Sequence, residues 1–302
     1  SYGRDVGSTL LLQYRMAPDI GELVSKCFYD EKLQTGRQAP PDYYASLPSF
    51  LEKQLNWVDM SPLGEHGHES SSDNGAEKWN ETEARVVMSL LRQIVESDDF
   101  IDNVKKDLQP GEPAIGVICM YGKQRAILDR MKSEASWLGD ARRLVKIDTV
   151  DSYQGKENRI VILSTVRNNQ FMNPGFLRSS NRVNVALSRS MDKLFIVAAK
   201  NMWIGRNADL PLGKVLKEVE SLARNQRADR EWRAVAEPDH ALCRHGDAVR
   251  IQWPDARNGP RAGEFVGDLA AVVEGDARPQ PETERQPVGR DGQFVRGQDL
   301  VR

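Results

Sequence analysis

The sequence predicts an α/β protein built on a parallel sheet, and three observations lead there. Six segments rich in β-branched and aliphatic residues recur at 9–12, 55–60, 114–121, 145–150, 159–166 and 194–199. They are near-continuous rather than alternating, as expected of strands covered on both faces. The stretches between several of them carry helical periodicity, which puts helices over the sheet. A chain of 302 residues that is 39% hydrophobic and 28% charged can bury such a core and has room for about two domains.

Each element has a local reason. After the 9–12 segment, Pro18 suits the first position of a helix, Asp19 and Glu22 sit where the helix dipole favours acids, and Ile20, Leu23, Val24 and Cys27 recur at spacings of three and four. Residues 62–78, rich in Gly, Ser, His and Asp and without periodicity, read as a mobile surface loop. A second helix opens at Asn80, with Glu83 three residues on as in a capping box, and runs through Val86, Val87, Leu90, Leu91, Ile94 and Val95. A third follows Tyr121 and buries Ile127, Leu128 and Met131. From Glu218 onward there is no lysine but 13 arginines, with much Gly, Pro and Asp, so the domains are drawn at 1–225 and 226–302. The second is either a small β unit, with strands at 248–253 and 264–273, or a disordered extension.

Charge and cysteine usage narrow the function. Lys and Arg number 42 against 44 Asp and Glu, for a net charge of -2, so a bound polyanion needs a local basic stripe rather than a global field. Cys27, Cys119 and Cys243 are odd in number and scattered, which fits a reducing, cytoplasmic setting better than a disulfide framework. No apolar run approaches the roughly 20 residues that cross a bilayer. The chain opens on Ser1 without a charged-then-apolar leader, and is expected to be soluble and cut from a longer protein. Neither His240, Cys243 and His245 nor His66, His68 and Glu69 has the paired spacing of a structural zinc site, so no metal site is expected.

One segment looks superficially like a phosphate loop. Residues 116–124 read GVICMYGKQ, but the glycines are one residue too far apart for a phosphate loop, and Gln124 stands where Ser or Thr must ligate magnesium. No acidic pair closes an apolar strand either. Residues 1–302 therefore do not cradle a triphosphate unaided.

Three blocks carry a different signal: LQYRMAPDI at 12–20, VKIDTVDSYQGKENRIVILSTVRN at 145–168 and GFLRSSNRVNVALSRS at 175–190. In order and separation they resemble motifs IV, V and VI of superfamily 1 helicases, specifically the nonsense-decay and senataxin-like branch that moves 5′ to 3′. The likeness spans about residues 10–199. It departs from the family at Cys119 and Met120, where Thr-Pro is usual, at Asn181 in place of an arginine, and at Ser188 and Ser190 around Arg189.

The resemblance implies a RecA-like, P-loop-NTPase-type domain lacking its own Walker A: the second domain of a two-domain motor, whose first lies upstream. It implies ATP with Mg2+ in the cleft between the two, the metal held mainly by the first domain, and single-stranded RNA or DNA as partner. Arg15 and Arg189 occupy the positions of the arginines that reach the γ-phosphate, and Gln154 that of the residue linking nucleotide state to the track. Gln13, Tyr14, Gly155 and Glu157 fall at nucleotide-contacting positions, with Tyr14 against the adenine. Thr149, Tyr121, Gln124 and Arg182 fall on the nucleic-acid side.

The residues themselves add to this. If 175–190 is largely helical, Arg178, Arg182 and Arg189 share a sector about 40° wide, with Phe176, Leu177, Val183, Leu187 and Met191 opposite, on the core side. Permanently charged planar guanidinium groups suit phosphoryl transfer, which spreads charge over the equatorial oxygens. The Thr149 hydroxyl can hold a backbone phosphate or be an ordinary strand residue, and Tyr14 can equally be a core tyrosine. The leading expectation is the C-terminal motor domain of an ATP-dependent helicase or translocase, inactive as an isolated chain. The alternative is a non-catalytic nucleic-acid-binding or scaffold module derived from a helicase half.

Overall fold

The computed structural model describes residues 11–48, 51 and 53–234, the last ten by backbone alone. The expected tail strands at 248–253 and 264–273, and the His240, Cys243 and His245 cluster, lie outside the described residues.

In chain order the strands are β1 (Leu12–Gln13), β2 (Gln34–Thr35), β3 (Leu55–Asp59), β4 (Ser70–Ser71), β5 (Lys78–Trp79), β6 (Ile115–Cys119), β7 (Val145–Thr149), β8 (Asn158–Ser164) and β9 (Ser190–Ala198). The helices are α1 (Pro18–Phe28), α2 (Glu81–Val95), α3 (Asp98–Lys106), α4 (Gly122–Glu134), α5 (Ser180–Leu187) and α6 (Pro211–Ala234). Five strands form one all-parallel sheet in the order β3-β9-β8-β6-β7. Helices α2, α3 and α4 pack together on one face, and α1, α5 and α6 on the other. This is the helix-covered parallel sheet that the apolar runs predict and the RecA-like architecture that the resemblance implies.

Burial follows sheet position. All of β6 is buried, as is nearly all of β8 and β9, because both faces are covered by helices. The edge strand β7 alternates, with Val145 and Ile147 buried and Lys146 and Asp148 half-exposed. The interior leaves no slack at Gly116: a Cβ there would come 2.3 Å from the Tyr153 hydroxyl and 2.5 Å from Asn158 Oδ1, which hydrogen-bond each other.

Three sequence expectations change. Of the 9–12 segment only residues 11 and 12 are described, and these do not join the main sheet. Leu12 and Gln13 pair in parallel with Gln34 and Thr35, and Leu11 and Leu12 stay 41% and 47% exposed because a tight turn begins at once. The 62–78 loop has structure of its own: residues 61–67 coil in 3₁₀ turns, and β4 and β5 form an antiparallel hairpin. The capping box at α2 is half-formed. Asn80 Oδ1 accepts from the Glu83 amide (2.9 Å), but the Asn80 amide donates to Gln124 Oε1 (2.8 Å) while the Glu83 carboxylate turns inward.

In a parallel sheet every strand ends on the same edge. Thr149 and Tyr121 lie at the C-terminal ends of β7 and β6, whereas Glu157 and Arg189 immediately precede β8 and β9 on the opposite edge. Residues 150–157 cross from one edge to the other in eight residues with only a single 3₁₀ turn, at 151–153.

Candidate functional site

A cationic corner forms at the N-terminal edge of β8 and β9. The turn after β1 is built by Gln13, whose Oε1 accepts from the amides of Arg15 (2.9 Å) and Met16 (2.7 Å) while Nε2 donates to Met16 O (3.0 Å) and Thr35 Oγ1 (2.8 Å). With its amide fully engaged, Gln13 is corrected from a nucleotide contact to a brace for this turn. The Ala17 amide then docks on Met191 O (2.7 Å), so the turn lies beside the start of β9 and not at the C-terminal end of a sheet strand.

On this brace the Arg15 guanidinium pairs with the Glu157 carboxylate through Nε and reaches Ser188 O (3.4 Å) through an outer nitrogen. Both partners remain partly open to solvent, at 36% and 43%. Tyr14 is 69% exposed, which removes its reading as a core residue; its ring lies against Gly36, where an added Cβ would come within 2.5 Å.

Arg189 completes the corner. Its guanidinium is held by neutral acceptors only: Val185 O (3.1 Å), Lys156 O (3.4 Å) and Ser188 Oγ (3.2 Å). Among the described residues no carboxylate is ion-paired with it. Burial, followed by the positive charge of Arg15, pulls its pKa below the usual arginine value. Two guanidiniums thus share a corner with one carboxylate, leaving an anion-accepting excess of charge.

The shared arginine face predicted for 175–190 does not form. Residues 175–178 make a 3₁₀ turn, Gly175 lies at φ +53°, and Ser179 caps a fresh helix at Ser180 that stops at Leu187. Ser179, a helix-capping residue type, was the sequence signal for this break. Arg178 is therefore exposed outside α5, Arg182 faces the C-terminal edge and Arg189 the other. Leu177, Val183 and Leu187 are buried as expected, whereas Phe176 is 53% exposed.

At the C-terminal edge, Arg182 makes two 3.2 Å contacts to the Asp151 carboxylate. The Thr149 hydroxyl donates to Ser152 Oγ (3.2 Å) and accepts from the Ser152 amide (3.4 Å), fixing the turn that follows β7. Gln154 and Gly155 are exposed midway along the crossing, with Gly155 at φ +81°.

Two nucleic-acid candidates are corrected. Gln124 is 0% exposed, bonded to both backbone groups of Asn80 (2.8 and 3.0 Å) and to Ser164 Oγ (3.2 Å); it ties α4 to α2 and cannot touch a strand. Tyr121 is 7% exposed, its hydroxyl accepting from the Phe176 amide (3.4 Å) and its ring covered by Phe176. Glu69, from the small His cluster, is committed to Arg167 (2.7 Å) and to the Asn168 amide (2.9 Å).

The sequence reading missed a second support for the Arg15 turn. Arg37 donates to Arg15 O and pairs with Asp192, a fully buried carboxylate that also receives Arg159 (3.4 Å) and the Tyr44 hydroxyl (3.0 Å). An Asp-Lys pair at the start of an otherwise apolar strand was its only signal.

A family described as AAA domain matches residues 3–201. The chain is 31% identical to a regulator of nonsense transcripts 1 homolog of Neurospora crassa, over 62% of this chain and 16% of that protein. It is 33% identical to the ATP-dependent helicase NAM7 of Saccharomyces cerevisiae, over 62% of this chain and 18% of that one. With the DNA polymerase alpha-associated DNA helicase A of the same yeast it shares 30% identity, over 64% and 28%. The chain thus spans between about one-sixth and about one-quarter of the length of these relatives. With its RecA-like sheet and this match across most of the described residues, the chain belongs to the AAA-domain family of superfamily 1 helicases.

Proposed function

We propose that this chain is the second, C-terminal RecA-like domain of an ATP-dependent helicase or translocase of the nonsense-decay and senataxin-like branch, moving 5′ to 3′ on single-stranded nucleic acid. The observation that carries this reading is Arg189: a partly buried guanidinium with neutral hydrogen-bond partners only, beside a second arginine. Such a corner holds positive charge ready for an anion delivered from outside the domain.

ATP with Mg2+, held mainly by a first RecA-like domain upstream, supplies the phosphoryl group. This chain's part is electrostatic: Arg15 and Arg189 neutralise charge developing on the transferred phosphoryl oxygens, and Tyr14 offers an exposed ring to the base. Glu157 keeps Arg15 aimed, so an incoming phosphate competes with a carboxylate for that guanidinium. Across the sheet, Thr149 and Arg182 face the strand, and residues 150–157 connect the two edges through Gln154. Among the relatives, one name refers to nonsense transcripts and another to a DNA helicase, so the strand is RNA or DNA.

The test is strand-stimulated ATP hydrolysis by this chain and by a protein extended upstream through one full domain. Hydrolysis in the extended protein alone, rising with added single strand, supports the motor reading. A silent extended protein, with strand binding retained by the short chain, replaces it with a non-catalytic binding module.

A further inference from the structure

We propose that Phe176, backed by Tyr121 and flanked by Arg182, is a stacking platform for an unpaired base of single-stranded nucleic acid. The proposal rests on the strand-binding half of the functional reading and names a contact that the helical pattern had assigned to the core.

The ring is exposed and its position is fixed. Phe176 is 53% exposed, yet its ring lies on that of Tyr121 with centroids 5.2 Å apart and planes 24° from parallel. Tyr121 is itself nearly buried, so the platform's underside belongs to the core. The backbone is tied to the same tyrosine: the Phe176 amide donates to its hydroxyl (3.4 Å), and a Cβ on Gly175 would come 2.4 Å from that oxygen. Only a glycine passes there, at φ +53°, and the ring that follows it is held out toward solvent. A preorganised aromatic surface loses little entropy when a ligand stacks on it.

The surroundings select the occupant. The Arg182 guanidinium lies over the Phe176 ring, 5.0 Å from its centroid and steadied by Asp151, so an arriving base takes this ring face by drawing the guanidinium aside toward its own phosphate; Arg178 is exposed two residues away in sequence. An apolar protein partner would have to desolvate the Arg182 guanidinium that lies over the ring. A nucleotide brings a flat base for the ring and a phosphate for the guanidiniums, the combination by which proteins follow single strands without reading sequence. The platform also stands at the C-terminal edge of the sheet, one strand from Thr149.

The experiment compares the 302-residue chain with its Phe176→Ala and Phe176→Trp variants, binding a fluorescent single-stranded oligonucleotide and an abasic strand of equal length. The parent and Phe176→Trp are expected to prefer the base-bearing strand by about tenfold, and to quench a 2-aminopurine placed in it. Phe176→Ala is expected to lose most of that preference and the quenching while binding the abasic strand as the parent does. Because the ring is exposed, the alanine variant should keep the parent's circular dichroism. If Phe176→Ala discriminates the two strands as well as the parent, the platform is overturned and the strand-binding reading stands. If the parent binds neither strand, both are overturned.

Discussion

Glu83 lies 1% exposed on α2, with its carboxylate accepting from the Ser164 hydroxyl (2.6 Å) and, through both oxygens, from the Val166 amide (2.9 and 3.0 Å). Val166 is β-branched and sits at φ +70°, a backbone state costing on the order of 1–3 kcal/mol unless its surroundings impose it. Burial pushes the Glu83 carboxyl from the ordinary 4.5 up to about 7, against the pull of these hydrogen bonds. Folding therefore takes up a proton between those values. The stability this confers is whole below pH 4.5 and is lost as pH rises through about 7, with a magnitude of about 3 kcal/mol. In urea titrations at about pH 5 and about pH 8, the parent should lose stability relative to Glu83→Gln on going to the higher pH. A difference that stays constant contradicts the assignment.

Gln124 makes the complementary case. It was read as a strand contact because it stands in the family's motif, but its side chain saturates both backbone groups at the start of α2. Gln124→Leu should leave those groups unpaired and destabilise the fold by about 2–4 kcal/mol in denaturant, with strand affinity of the folded fraction unchanged. Residue types alone could not separate these roles, since a buried amide and a strand-contacting amide share one letter. The same holds for Gln13 and Tyr121, where the hydrogen-bond partner decides and the partner is remote in sequence.

Among the elements, the helices and central strands were legible because their signals are local. Pro18 opens α1 and Asn80 caps α2 as their residue types require, and β6, β8 and β9 read as unbroken apolar runs. Errors arose where an element is too short to carry a period. The two paired residues of β1 and the four-residue 3₁₀ turn at 175–178, cut off from α5 at Ser179, are both too short to show one. The crossing at 150–157 was legible only through Gly155. At φ +81° a side chain there is strained, so Gly155→Ala should lower stability by about 1–2 kcal/mol and show as a reduced melting temperature. An unchanged value would mean that the crossing adopts another backbone path in solution.

For the whole molecule, the topology separates Arg182 from Arg189, which the helical pattern of 175–190 had placed on one face. Arg15, Glu157 and Arg189 gather at the N-terminal edge of β8 and β9, while Thr149, Phe176 and Arg182 stand at the opposite edge of β6 and β7. In the motor reading, a nucleotide-dependent shift at the first surface reaches the second through residues 150–157 and through α5, which runs between the edges.

The most direct measurement of this reading is the ATP turnover of an upstream-extended protein carrying Arg189→Ala, with Arg130→Ala, an exposed arginine on α4, as the control. Removing the cation that meets the transferring phosphoryl group should cost at least about tenfold in kcat and up to about 10³–10⁵, while Arg130→Ala leaves kcat near that of the parent. Normal hydrolysis by Arg189→Ala would contradict the role assigned to the cationic corner.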